Sequence, residues 1–413
     1  MTKIRAILRS CAPHTGSSSS KVSVSIHIAG AGDKQPKVFT TSDKIEGVVT
    51  INVAEKTAFD DIKITFEGIF KVMTWGGING PPLVGACQTF MKLHYPIENS
   101  SYQPASILEP GWCYKFPFTF VVSKNLPLTP SEGKTDYAGI KNAHARLPPS
   151  LRKENDTECF SIKYFVRVVI PRPFYCKDQP IKSLVNAVRP VKILPSDTMG
   201  KPRDLSIKTL SYKKDLRIRD GWRGKCTGRL TVLASGAEPI RLPFRRTNAA
   251  DKANTSINLD LRYIPVGTEP PPRLRKVYTK LNLVTSFHAT PREQHPCFKK
   301  NKSSDSPRGN HIEFVTLPKF DITSVQWVKK QSPCASVSSP RQSYLSTFVD
   351  EEASYTSSVV VPISIPKHDD FVPSFHSCFI TRMYSLELLL SYCAANGAGR
   401  SALRIKVPIE VTL

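Results

Sequence analysis

Few side chains in this sequence stand at spacings that support covalent chemistry. The densest cluster is HATPREQHPC, which brings His288, His295 and Cys297 close together. Two imidazoles and a thiolate are zinc-ligand types, but a structural site needs a fourth donor and none stands at ligand spacing. His368, Asp369 and Asp370 form a second small group, better explained as a polar turn between strands. There is no Gly-x-Ser-x-Gly elbow, no phosphate-binding glycine loop and no His-Glu-x-x-His pair. No catalytic residue, metal ligand or cofactor is expected, and the chain does not read as an enzyme.

The chemistry the sequence does offer is anion binding. The formal net charge is +24. It is uneven: from Lys201 to Asn310 there are 24 Lys plus Arg against 9 Asp plus Glu, an excess of +15. Such a segment attracts lipid headgroups, phosphorylated tails or nucleic acid. The candidate contacts are Lys213, Lys214, Arg217, Arg219, Arg223, Lys225 and Arg229, with Arg241, Arg245 and Arg246 beyond them. Lys and Arg on strands make a flat patch suited to headgroups. Tyr212, Trp222, Phe244 and Tyr263 lie nearby, and aromatics beside cations suit single-stranded nucleic acid. Aromatics in a sandwich are more often core, so nucleic acid is not the expected partner.

The elements that would position these residues are strands. Phe160, Ile162, Tyr164, Val166, Val168 and Ile170 alternate with Ser161, Lys163 and Arg167, the period of a strand with one buried face. Tyr114 to Val122 is also strand-like but holds Pro117, which cannot donate to a ladder and so predicts an edge or a bulge. Val22, Val24, Ile26 and Ile28 predict a first strand, followed by Ile45 to Val53, Asp61 to Met73 and Ala187 to Leu194. A second run is expected at Cys226 to Ala234, Ser256 to Tyr263, Lys276 to Ala289, Ile312 to Thr316 and Ser324 to Lys329. The tract SLELLLSYCAA has helix-forming composition, so its pattern alone leaves helix and strand open.

A content of 34 prolines suits many turns rather than long helices, and 40% hydrophobic residues is enough for packed cores. No apolar run approaches the ~18 residues of a membrane span. The 10 cysteines contain no Cys-x-x-Cys pair, which argues against a zinc ribbon or a disulfide framework. The expected organisation is an all-β chain of two tandem β-sandwich domains. A disordered arm covers 1–20, the first domain 21–195, a linker 196–204 and the second domain 205–413.

Several of these stretches in order resemble the arrestin-like family, closest to fungal alpha-arrestin-like proteins. In the first half the matching positions are Gly47, Phe66, Gly68 and Trp75, then Gly111, Phe116, Pro117 and Phe118, then Leu147, Pro148, Pro149, Ser150, Ile162 and Tyr164. In the second half they are Pro373, Ser374, Phe375, Tyr384, Leu386 and Leu388. The insert Ser131 to Ala145 departs from the family pattern. The resemblance implies immunoglobulin-like sandwiches and makes the ambiguous C-terminal tract a strand. It further implies a cytoplasmic adaptor, peripheral to the plasma membrane or endosomes, that binds the cytosolic tails of membrane proteins such as transporters or receptors for endocytosis or endosomal sorting, with anionic lipids as further partners. Many such proteins recruit ubiquitin ligases through Pro-Pro-x-Tyr. The double prolines at Pro81, Pro148 and Pro271 lack the tyrosine, and the sequence stops at the last expected strand. Ligase recruitment is therefore expected to be indirect at most, and the arrestin-fold subunit of retromer is a fair comparison.

Overall fold

The computed structural model describes residues 21–31, 37–74, 84–97, 107–126, 145–152, 159–171, 184–196, 212–219, 224–235, 238–242, 253–288, 308–330, 353–366, 371–394 and 400–413. Every regular element among them is a β-strand. No helix among them is long and apolar enough to cross a membrane. The chain divides into two compact units. One comprises Met1–Thr198, Ser286–Asn310 and Phe375–Thr381, the other Met199–Thr285, His311–Ser374 and Arg382–Leu413. From residue 197 onward the expected linker lies outside the described residues, as does the arm at 1–20.

In the first unit, β1 (Val22–Ile28), β3 (Lys44–Val53) and β8 (Cys113–Val121) form one sheet in the order β1-β3-β8. The second sheet has the order β2-β10-β9-β5-β6, from β2 (Val38–Phe39), β10 (Val185–Ile193), β9 (Phe160–Ile170), β5 (Lys63–Thr74) and β6 (Val84–Tyr95). Two short strands, β4 (Thr57–Ala58) and β7 (Ile107–Leu108), pair with each other. The sheets pack through aromatic rings: Phe66 of β5 lies 5.8 Å from Phe120 of β8 in the other sheet, and 6.1 Å from Tyr164 of its neighbour β9. Pro117 sits on the edge strand β8, exposed, opposite Val48, so its missing N–H breaks no ladder.

The second unit repeats the plan. One sheet runs β11-β12-β14-β19-β18, from β11 (Tyr212–Arg219), β12 (Cys226–Ser235), β14 (Ala253–Pro265), β19 (Ser354–Ile365) and β18 (Val328–Lys330). Opposite it lies the sheet of β16 (Arg308–Thr316), β15 (Arg273–His288) and β21 (Ile380–Cys393). In that sheet β17 (Phe320–Asp321) pairs with β15 and β22 (Arg400–Ile409) with β21; the order ends on β20 (Phe375–His376), whose residues are grouped with the first unit. β13 (Ile240–Arg241) pairs in parallel with β23 (Val411–Thr412). Strand alternation builds the core: Leu259, Leu261 and Tyr263 of β14 meet Leu281 of β15, Leu386 and Leu388 of β21 and Ile405 of β22.

A shared clasp closes each unit. In the first, the Ser150 amide donates to the Ile193 carbonyl at 2.7 Å, and the Ile193 amide donates to Ser150 Oγ at 2.8 Å. In the second, the Ser374 amide donates to the Val411 carbonyl at 2.8 Å, and the Val411 amide donates to Ser374 Oγ at 2.9 Å. The prolines Pro148, Pro149 and Pro373 hold the clasp segments extended.

Three expectations need correction. The face of β9 carrying Ser161 is not simply solvent-facing, because Ser161 is 0% exposed and Phe165 only 6%. The stretch expected as a strand at Ser324 to Lys329 begins in a turn and has no regular structure at 325–327, and only Val328–Lys330 pairs. The polar loop expected at Thr290 to Asn310 gives up its last residues to β16, while 289–307 lies outside the described residues. The tract with helical composition is strand β21, because its even positions Tyr384 to Tyr392 fill the core. β6, β11 and β19 were not expected as strands.

Candidate functional site

The expected basic patch is only partly assembled. Lys213, Arg217 and Arg219 alternate with buried Ile218 on β11, and Arg229 stands opposite Arg217 on β12, all exposed. Lys214 and Lys225 are exposed beside them, and Arg241 is exposed on the separate strand β13. Arg223, Arg245 and Arg246 lie outside the described residues, as do Trp222 and Phe244. Asp215 sits among these cations. The Thr231 hydroxyl donates to it at 2.6 Å, and this bond, aided by Lys213 and Arg229, holds its carboxyl below the usual carboxylate value. β11 is the terminal strand of its sheet, so the charges also block edge-to-edge pairing. Tyr263 is fully buried and donates to the Thr227 carbonyl at 2.7 Å, while Tyr212 packs on the core. Neither offers a stacking platform.

The fold assembles a second cationic face, on the first unit, that sequence reasoning missed. Strand registry places Lys92 of β6, Glu67 of β5, Phe165 of β9 and Pro190 of β10 in one row across the sheet. The next row holds His94, Thr65, Arg167 and Val188. Lys63, Lys71, Lys163 and Lys192 stand on the same face. Glu67 is the one carboxylate in these rows and is 3% exposed. The Thr65 hydroxyl donates to it at 2.9 Å, Lys92 Nζ stands 3.5 Å away and Arg167 Nε 3.4 Å away. A buried carboxylate is tolerated only when so paired. The pattern was present in sequence: Met91, Leu93 and Tyr95 alternate with Lys92 and His94, which marks a strand with a cationic outer face.

The resemblance positions turn out to be structural. Phe66, Phe116, Phe118, Pro148, Pro149, Tyr164 and Tyr384 are buried, while Phe375 is half-buried. Gly111 takes φ +79° at the turn before β8. Gly47 and Gly68 are fixed by close approach: an added Cβ would lie 2.3 Å from the His27 carbonyl at Gly47 and 2.6 Å from the Phe90 ring at Gly68. Trp75 lies outside the described residues.

An ion network anchored by one buried arginine in the second unit was also missed. Arg382 is 3% exposed, and its Nη1 donates to Thr285 Oγ1 at 2.8 Å. Its Nη2 stands 3.7 Å from Glu313, whose other oxygen is 2.6 Å from His311 Nε2. Nothing in the sequence distinguishes Arg382 from a surface arginine, because only the partners on β15 and β16 make its burial tolerable.

The candidate metal residues His295, Cys297, His368, Asp369 and Asp370 lie outside the described residues. His288 is buried at the end of β15. Among the described residues no group of His, Cys, Asp or Glu is placed to hold a metal. No family model matches the sequence, and no curated protein matches it.

Proposed function

We propose that this protein is a non-enzymatic, arrestin-like adaptor whose two immunoglobulin-like sandwiches bind the cytosolic tails of membrane proteins during endocytosis or endosomal sorting. The observation that carries the reading is the first unit's cationic face around Glu67. Lys63, Lys71, Lys92, Lys163, Arg167 and Lys192 stand on one sheet face, with Glu67 as the carboxylate among their rows. The centre of this face, at Thr65, Ser161 and Phe165, is buried, and its rim presents exposed Lys63, Lys71 and Lys92 beside half-buried Ile69 and Val169, which suits an extended acidic or phosphorylated peptide. Anisotropy titrations with serine-rich peptides, phosphorylated and unmodified, test it. The phosphorylated peptide is expected to bind more tightly, and Lys71→Glu with Lys192→Glu to weaken it by about 10-fold or more, since each swap reverses a unit charge near the ligand. Equal binding of both peptides, or no effect of the swaps, would sink the reading.

A second reading is an anion-binding module without cargo. The observation that favours it is the exposed row Lys213, Arg217, Arg219 and Arg229 on the edge of the other unit. Lys213→Glu with Arg217→Glu abolishing binding to oligonucleotides or acidic vesicles, with peptide binding absent, would favour it over the adaptor.

A further inference from the structure

One face of the second unit is out of keeping with a surface built only for solubility. On the outer side of the sheet containing β15 and β16, Ile312 is 63% exposed, Phe314 65% and Tyr278 44%. The alternation is clear on β16: Val315 packs on the core, while Ile312 and Phe314 point away from it. Lys280 Nζ lies 5.3 Å from the centre of the Phe314 ring, so an ammonium rims the most exposed aromatic. Farther across the same face, β22 presents Arg404 and Lys406 opposite Leu389 and Glu387 of β21. The carboxylates on this side are already engaged: Glu387 with Arg404 at 3.2 Å, and Asp321 with Lys276 at 3.8 Å.

We propose that this face, led by Phe314, Ile312 and Tyr278 with Lys280, docks on an anionic lipid surface. Three observations select that occupant. Side chains on a strand project perpendicular to the sheet, so a strand added along β16, terminal in its sheet among the described residues, would pair its backbone yet leave Ile312 and Phe314 uncovered. A flat partner laid on the face covers them. A second copy of this chain would set Lys280 and Lys406 against like charges, Arg404 being paired with Glu387, in a molecule already at +24. An anionic bilayer supplies both complements: an interfacial zone that accepts aromatic rings and headgroups that attract the lysines and arginines. This inference is independent of the peptide-binding reading, because it uses different residues on the other unit.

The experiment is vesicle co-sedimentation of the full chain with phosphatidylserine-containing and pure phosphatidylcholine vesicles, joined to quenching by lipids brominated on their acyl chains. The chain is expected to partition onto the anionic vesicles and not the neutral ones. The double change Ile312→Ser and Phe314→Ser should lower partitioning by about 10-fold or more, as several buried CH₂ equivalents are lost, and Lys280→Glu should lower it by about 5-fold or more. Because these side chains are exposed, the variants should keep the parent's thermal midpoint. Phe314→Trp should show more bromolipid quenching than the parent, which places the side chain in the interface. Three results overturn the proposal: undiminished binding by the double-serine variant, binding lost only when Lys213 and Arg217 are reversed, or a concentration-dependent emission shift of Phe314→Trp without vesicles, which would mark protein docking.

Discussion

The hydroxyl of Tyr384 donates a 2.6 Å hydrogen bond to the carbonyl of Val372, two residues before the clasp serine Ser374. The Tyr164 hydroxyl does the same at 2.5 Å to Pro148, two residues before Ser150. Each unit thus ties a proline-marked segment both to a late strand, β10 in the first and the short β23 in the second, and to a core tyrosine. Replacing either tyrosine with Phe leaves a buried carbonyl unpaired and should cost about 1–3 kcal/mol. Tyr164→Ala also empties core volume and should cost about 3–5 kcal/mol. Denaturant unfolding of the three variants measures this. Loss below 0.5 kcal/mol in both Phe variants would mean the clasp does not hold the folded state.

The same burial predicts an alkaline limit. Tyr164 is pushed well above its ordinary value of 10.0 by burial, and Tyr384 is raised by burial as well. A group whose pKa is raised on folding keeps its proton in the native state while the unfolded chain loses it. Its contribution is complete below the unfolded value and falls as pH rises past about 10. The thermal midpoint should therefore drop between pH 9 and 11. Tyr164→Phe should lower the midpoint at pH 8 but show a shallower alkaline decline than the parent. Parallel declines would assign the limb to other groups.

Gly68 packs beneath two rings. An added Cβ would lie 2.6 Å from Phe90 and 2.9 Å from Tyr164, where β5 and β6 shift register and Phe90 stacks on Phe70 at 4.1 Å. Gly68→Ala should destabilise by about 1–3 kcal/mol through overpacking. Gly85→Ala meets only ordinary contacts, the nearest 3.6 Å from the Val72 carbonyl, and should change stability by less than about 0.5 kcal/mol. Equal effects at the two sites would refute the close-approach account.

The all-β architecture was legible because alternation reports the pleat directly, and Pro117 announced an edge that the sheet order bears out. The clasp was legible only as motif positions; their hydrogen bonds join residues 43 and 37 positions apart, beyond any local pattern. β19 escaped because SYTSSVVVPISI carries a proline and a polar start, and β11 because its cations drew attention as charge rather than as strand. The basic patch was read as one continuous surface, yet strand pairing sends Arg241 to a different sheet from Arg217 and Arg229. The cationic face around Glu67 needs four strands, β6, β5, β9 and β10, whose order no sequence pattern states.

That face makes the last prediction, in which one substitution moves two measurements in opposite directions. Glu67 contributes a negative charge between Arg167 and Lys92 while the Thr65 hydroxyl holds it in place. Glu67→Gln keeps an acceptor for Thr65 but removes the charge. Arg167 and Lys92 then lose their partner, so stability should fall, by less than the ~3–5 kcal/mol of a fully buried broken pair because both cations reach solvent. The same change strips a unit of repulsion from any anion bound on this face. At about 8 Å that repulsion is worth roughly 0.5–2 kcal/mol between water-like and near-surface dielectric. Binding of a phosphorylated peptide should therefore tighten about 2- to 30-fold as the thermal midpoint drops. Glu67→Asp keeps the charge and should leave affinity near that of the parent. If Glu67→Gln lowers stability and affinity together, the carboxylate is a support for the face, and the peptide does not bind beside it.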